Sequence, residues 1–226
     1  VLQYHFIGHF PWTYSQEGTK KIKEYQHYVL KIKDHINALM QAKEVNKIKE
    51  FINVYTRELK ETFQILKEIL RDKQVYLRDV FILEKSSIFL PLLIKCYKYG
   101  HDRPEYSDIL RLLEIFSFRI YEIGHKPSYT GRDWLYQLAR DFDGDFDKLK
   151  YQLKEKILDS VDDELFKKQL NSSLLYEEIS NLALKYLFWK YENYLRRNEQ
   201  PIAAEMSEAE FLVQNARVKL SIEHIA

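Results

Sequence analysis

Glu223 and His224 stand side by side in Ser221-Ile222-Glu223-His224-Ile225-Ala226, an acid and an imidazole framed by apolar residues. A carboxylate can hold a divalent cation, and an imidazole can take a proton from water. Together they make half of a metal-assisted hydrolytic site in which activated water attacks a phosphodiester. The preceding Val218-Lys219-Leu220-Ser221-Ile222 alternates apolar and polar residues, which predicts a strand able to hold the imidazole rigidly. A lone Glu-His dipeptide is also common as plain structure, so the elements around it must decide. The rest of such a site has no counterpart up to residue 226. The expectation is therefore a helical body followed, over 215–226, by the start of a truncated domain.

The composition fits a helical body. The 226 residues are 46% hydrophobic and 31% charged, with seventeen Tyr and thirteen Phe against six Gly and five Pro. That balance favours packed helices over a loop-rich chain. The net charge of +1 argues against a free-standing basic nucleic-acid module. Charge is nonetheless uneven: 20–73 carries a surplus of five positive charges and 141–166 an equal negative surplus. The first block reads as a solvated face or as a surface facing phosphates. Cys96, the one cysteine, sits in an apolar run and reads as a buried small residue in a reducing cytoplasm. No apolar stretch approaches the length of a membrane span.

The fold class expected is all-α, a multi-helix bundle with a long antiparallel helical hairpin and a short C-terminal strand. Residues 1–18 are aromatic and irregular. Ile22, Tyr25, Val29, Ile32, Ile36 and Leu39 then recur at spacings of three and four, and Val45, Ile48, Ile52, Tyr55, Leu59, Leu66 and Ile69 repeat the pattern, with polar Thr62 in one seam position. Joined through Met40–Glu44, the two helices should fold back on each other, so 1–80 holds the N-terminal segment and the hairpin.

A helical region over 81–214 follows. It opens with an apolar helix over 84–99 that Pro91 kinks or restarts. The next helix carries Ile109, Leu112, Leu113, Phe116 and Ile120 and ends at Gly124. Short helices are predicted over 131–140, 146–158 and 162–170, the last with Ser160 available as its cap. A long helix over 174–197 buries Leu175, Ile179, Leu182, Tyr186 and Trp189, with Phe188, Tyr191 and Tyr194 widening that face. Ser207 and Glu210 signal a short helix through Gln214.

Other groups have plainer readings. Asp141, Asp143, Asp145 and Asp147 surround Gly144, but the glycine falls too early for a calcium loop, so these residues predict a turn and a helix cap. His5 and His9 are four apart without a partner acid, and His101 and His125 are isolated, so structural roles are expected. Lys190, Arg196 and Arg197 form a modest basic tip that could contact DNA phosphate. The neighbouring aromatics could stack on bases but at helical spacing read as core.

The stretch Tyr176–Arg196, with Leu184-x-x-Leu187-Phe188-Trp189-x-x-Glu192-x-x-Leu195-Arg196, followed by Ser221-Ile222-Glu223-His224-Ile225, resembles bacterial restriction proteins of the GmrSD type. Those proteins join a ParB-like nucleotide-hydrolysing N-terminal domain to an HNH-like nuclease domain. The helix Arg111-Leu112-Leu113-Glu114-x-Phe116-x-Phe118-Arg119 is similar to the start of their helical linker region, so the resemblance spans roughly 80–226. It implies that His224 is the general base and Glu223 the acid supporting a divalent cation, Mg2+ in the first instance. The family's later polar motif, its Asp-Gly-Gln-Gln-Arg-type motif and any Gly-rich phosphate loop have no match here.

The function expected on this basis is the helical part of a metal-dependent, DNA-targeting endonuclease of cytoplasmic restriction or antiphage defence. This stretch alone would be inactive and without cofactor, nucleotide use belonging to a separate N-terminal domain. DNA, foreign or modified, is the expected partner, a homo-oligomer is compatible, and no membrane is involved. The alternative is a non-enzymatic helical scaffold or dimerisation module built on the 22–70 hairpin.

Overall fold

The computed structural model describes residues 1–9, 14–17, 20–23, 28–198 and 206–207. Their architecture is all-α apart from one small ribbon. The chain divides into two units, Val1–Phe166 and Lys167–Ala226.

The first unit opens with α1 (Leu2–His9), where the sequence predicts irregular chain. A ribbon follows in which β1 (Tyr14–Glu17) pairs antiparallel with β2 (Lys20–Lys23), Ser15 opposite Ile22. Ile22 thus belongs to a strand, and the first hairpin helix, α2 (Tyr28–Gln41), starts later than its apolar spacing suggests. The partner helix, α3 (Val45–Ile69), runs for 25 residues as expected. The link between them closes as a Schellman turn: Glu44 N–H donates to Leu39 O and Lys43 N–H to Met40 O. Lys43 takes the left-handed conformation at φ 57°, a position that favours glycine.

The helices α4 (Val75–Ile82), α5 (Leu90–Gly100), α6 (Pro104–Phe116), α7 (Arg132–Asp141) and α8 (Phe146–Ser160) build the main core. Pro91 and Pro104 occupy the first turns of α5 and α6, where a missing N–H leaves no bond unmade. Of the two roles open to Pro91, it marks the restart, after a 3-10 turn at Ser86–Ile88. Cys96 is buried as expected. The helix through Ile120 does end at Gly124, but its last stretch, Ser117–Ile123, widens into a π-helix. That widening is closed by Gly124 N–H to Arg119 O.

At α9 (Asp163–Leu170) the cap is Asp162, whose Oδ1 accepts from Leu165 N–H at 2.7 Å; Ser160 instead closes α8. The helix α9 passes from one unit into the next. In the second unit the single long helix expected over 174–197 is broken into α10 (Leu175–Glu178) and α11 (Asn181–Asn198). Ser180 causes the break, its Oγ accepting from Ala183 N–H at 3.2 Å and so capping α11. Leu175, Ile179, Tyr186 and Trp189 are buried as the seam predicts, Leu182 is only half-buried, and Phe188, Tyr191 and Tyr194 lie exposed. Helical spacing alone overstates the width of that buried face. The strand predicted at 218–222 and the helix at 207–214 lie outside the described residues, apart from Ser207.

Candidate functional site

Glu223 and His224 also lie outside the described residues. Lys190, Arg196 and Arg197 all lie on α11. The Lys190 ammonium rests over the rings of Tyr186 and Trp189, 5.3 and 5.6 Å from their centroids. Arg196 Nε pairs with Glu192 Oε1 at 2.7 Å, one turn back. Arg196 and Arg197 occupy the last turn, where positive charge also offsets the helix dipole. Helical periodicity puts Lys190 and Arg197 two turns apart on one face and turns Arg196 aside toward Glu192. Tyr191 and Tyr194 stack nearly parallel at 6.5 Å on the exposed side.

The feature of α11 that sequence reasoning missed is Asn193. Its side-chain amide pairs with the backbone of Met206 in both directions, Nδ2 donating to Met206 O at 3.0 Å and Oδ1 accepting from Met206 N–H at 2.7 Å. Trp189 Nε1 donates to the same carbonyl at 3.0 Å. Three hydrogen bonds thus fasten the backbone at Met206 to the middle of α11. A buried Asn among apolar neighbours was the available signal, because a buried amide needs partners. Asn193→Ala should leave the Met206 N–H to water and its carbonyl to Trp189 Nε1 alone, at a local cost of about 1–3 kcal/mol. Hydrogen exchange at Met206 should then speed up by more than tenfold, with the amides at the centre of α11 unchanged; an unchanged Met206 rate would show that the clasp does not hold the chain.

In the first unit, α1 delivers two histidines to the root of the hairpin. His5 is fully buried, and its Nδ1 lies 2.9 Å from Thr62 Oγ1. Thr62 donates its own hydroxyl to Glu58 O at 3.0 Å, so it accepts from His5 Nδ1–H, and Nε2 keeps the lone pair. This explains the polar residue in the α3 seam. His9 Nδ1 donates to His5 O at 3.0 Å, and the two imidazoles lie 4.4 Å apart between centroids, tilted by 33°. Burial lowers the His5 pKa to about 3, helped by His9, Lys98 and Lys95. Burial also lowers His9, and buried Lys95 is lowered by burial and by Lys98. His5, kept neutral by its burial, serves the packing of α1 on α3, a structural role as expected, with His9 hydrogen-bonded to its carbonyl.

The Asp141–Asp147 segment takes its turn and capping role. Asp143 Oδ1 accepts from Asp145 N–H at 3.2 Å, and Asp145 Oδ1 caps α8 through Lys148 N–H at 2.9 Å. Asp141 pairs with Arg140 at 2.7 Å and Asp147 with Lys150 at 2.8 Å. Gly144 sits at φ 102°, with a Cβ there meeting Tyr99 at 3.0 Å, so only glycine turns this corner. The segment lines a cleft of about 260 Å3 with Trp134, Leu138 and Leu149. No group of three or more His, Cys, Asp or Glu is placed to hold a metal among the described residues. No helix among them is long and apolar enough to cross a membrane.

No protein-family model, curated protein or solved structure matches this chain.

Proposed function

We propose that this chain is the helical body of a DNA-targeting, metal-dependent endonuclease, acting in bacterial restriction or antiphage defence. The reading rests on the Ser221-Ile222-Glu223-His224-Ile225 pattern and its similarity, with α11, to GmrSD-type proteins. One structural observation supports it: the Trp189–Asn193 clasp holds the backbone of Met206, which precedes Glu223 and His224 in the chain, against α11. In this role the body positions the pair and performs no chemistry itself. Glu223 would hold a divalent cation, Mg2+ by preference, which supplies charge neutralisation at a phosphodiester, and His224 would accept the proton of water at a ring nitrogen. Lys190, Arg196 and Arg197 are the basic side chains of α11 that would meet DNA phosphate. Nucleotide use, if any, belongs to a ParB-like domain elsewhere in the protein, and the compartment is the cytoplasm, where Cys96 stays a thiol.

The full-length protein is the material to test. With Mg2+ and phage DNA, His224→Ala should lower cleavage at least about a hundredfold, the usual contribution of a general base. Cleavage equal to wild type would remove His224 from the mechanism and this reading with it.

A second reading, a non-enzymatic helical scaffold, is favoured by a different observation. Among the described residues, α2 buries none of its side chains.

A further inference from the structure

The helix α3 carries two seams. The inner one, Ile48, Tyr55, Thr62 and Ile69, repeats every seven residues and ends in the buried positions Thr62 and Ile69 beside Ile65. The outer one is Val45, Lys49, Ile52, Thr56, Leu59, Phe63, Leu66 and Leu70, spaced alternately four and three apart. Six of its eight members are apolar, and the repeat averages 3.5 residues over about 37 Å of helix. Among the described residues four of its apolar members stand open, Val45 57% exposed, Ile52 45%, Phe63 50% and Leu70 65%, while Leu59 and Leu66 are half-buried. On α2, helical periodicity puts exposed Val29 and Met40 on one flank. The two helices meet through the rings of His35 and Phe51, and this flank is a second exposed apolar stretch of the hairpin beside the outer seam of α3.

The rim of that face is basic. Lys49, Lys60 and Lys67 border the outer seam or lie within it, and Lys33 lies beside Val29 and Met40 on α2, all exposed. No carboxylate among the described residues pairs with any of the four, although Glu50, Glu58, Glu61 and Glu68 share α3 and Glu44 precedes it. Those acids fall at other angles of α3: Glu44 holds Lys47 and Glu61 holds Lys98.

We infer that this face docks an amphipathic helix from a partner protein, apolar on one side and flanked by Asp or Glu. A period of 3.5 residues is the mark of helix-on-helix packing rather than of adsorption to a lipid surface. Four like-charged ammonium groups oppose a second copy and select an acidic partner. The docked helix would complete a three-helix seam on the hairpin and leave the core of the first unit untouched. This surface is remote in sequence from Glu223 and His224 and holds whether or not the chain serves a nuclease.

Two synthetic helical peptides test it on the whole chain, each about four heptads long with Leu and Ile on the seam. One carries Glu at its flanking positions, its twin Lys. The acidic peptide should bind at least about tenfold more tightly than the basic one in a titration by fluorescence anisotropy, with the gap closing as salt rises. Phe63→Glu should abolish binding, and Lys60→Glu with Lys67→Glu should reverse the order of the two peptides. Circular dichroism should show every variant folded, since all these side chains are exposed. Equal affinity for both peptides overturns the assignment. So does a dimer, seen by sedimentation, that Phe63→Glu dissolves, which would give the face to a second copy. Binding to vesicles of phosphatidylserine and phosphatidylcholine in place of the peptides would give it to lipid and overturn the assignment equally.

Discussion

Acidification should unfold the first unit early, and His5 should be the reason. Its pKa lies at about 3 in the fold against an ordinary value of 6.5, chiefly because the ring is buried. Between those two values the unfolded chain binds a proton that the folded one refuses. Stability therefore rises with pH across this window, and lowering the pH from 6.5 removes about 1.4 kcal/mol per pH unit. Between pH 6.5 and about 4.5 the loss reaches about 3 kcal/mol, a large share of an ordinary domain's stability. Three groups near the ring strengthen the effect, His9, Lys98 and Lys95, each of which opposes a positive charge there; Tyr55 meets it edge-on at 5.2 Å. Glu58 raises His9 but does not outweigh burial there. The check is urea unfolding at several pH values for wild type and His5→Asn. Asparagine can place an amide N–H where Nδ1–H now meets Thr62, so the fold survives while one titration disappears. The variant should lose stability less steeply on acidification, the remainder coming from His9 and the carboxylates. A folded-state NMR titration in which the His5 ring protonates near its ordinary value would refute the account.

That cluster also shows what a sequence can and cannot disclose. The α3 seam was readable because a period of 3.5 residues is a local signal, carried within 25 consecutive residues. Thr62 registered only as a flaw in that seam. Its partner, His5, lies 57 residues away on a segment whose Gly and Pro hid a helix, so nothing local could join the two. Ile22 shows the opposite error. It fits the helical spacing of α2, yet pairing with Ser15 places it in a strand, a tertiary outcome that spacing alone does not weigh. At Ser180 the capping signal was present in the sequence but was outweighed by an apolar pattern that runs unbroken across it.

The candidate site divides the same way. Lys190, Arg196 and Arg197 were legible as charge, but their engagement was not: a cation over two rings, and an arginine tied to Glu192. Asn193 was passed over because its partners are a backbone N–H and carbonyl, which belong to every residue and mark none. The outer seam of α3 was visible in the sequence as part of one broad hydrophobic pattern. Only burial separates the half that meets the core from the half that meets solvent. Periodicity tells which residues share a face, whereas the presence of a neighbour must be seen.

Phe116→Ala should be the most damaging single change in the chain's core, costing about 3–5 kcal/mol. Phe116 is fully buried and meets Phe89 and Tyr121 edge-on, at 5.7 and 5.8 Å between ring centroids. Its Cζ also lies 3.0 Å from where a Cβ on Gly131 would stand, so the turn before α7 is shaped to the end of this ring. Gly131 holds φ 75° there, which leaves that turn little freedom to close over a void. The ring also sits where α6 gives way to the π-helical Ser117–Ile123, so its loss would open space beside backbone already off the regular ladder. Collapse around the cavity is therefore limited on both sides, and the cost belongs at the high end of the range. Phe63→Ala supplies the contrast: the same substitution on the exposed seam should shift stability by no more than about 0.5 kcal/mol in the free chain. Urea unfolding of both variants gives the comparison. Similar midpoints would mean either that the core yields around Phe116 or that Phe63 already has a neighbour. A Phe63→Ala penalty that appears only when the acidic peptide is present would locate that neighbour in the docked helix.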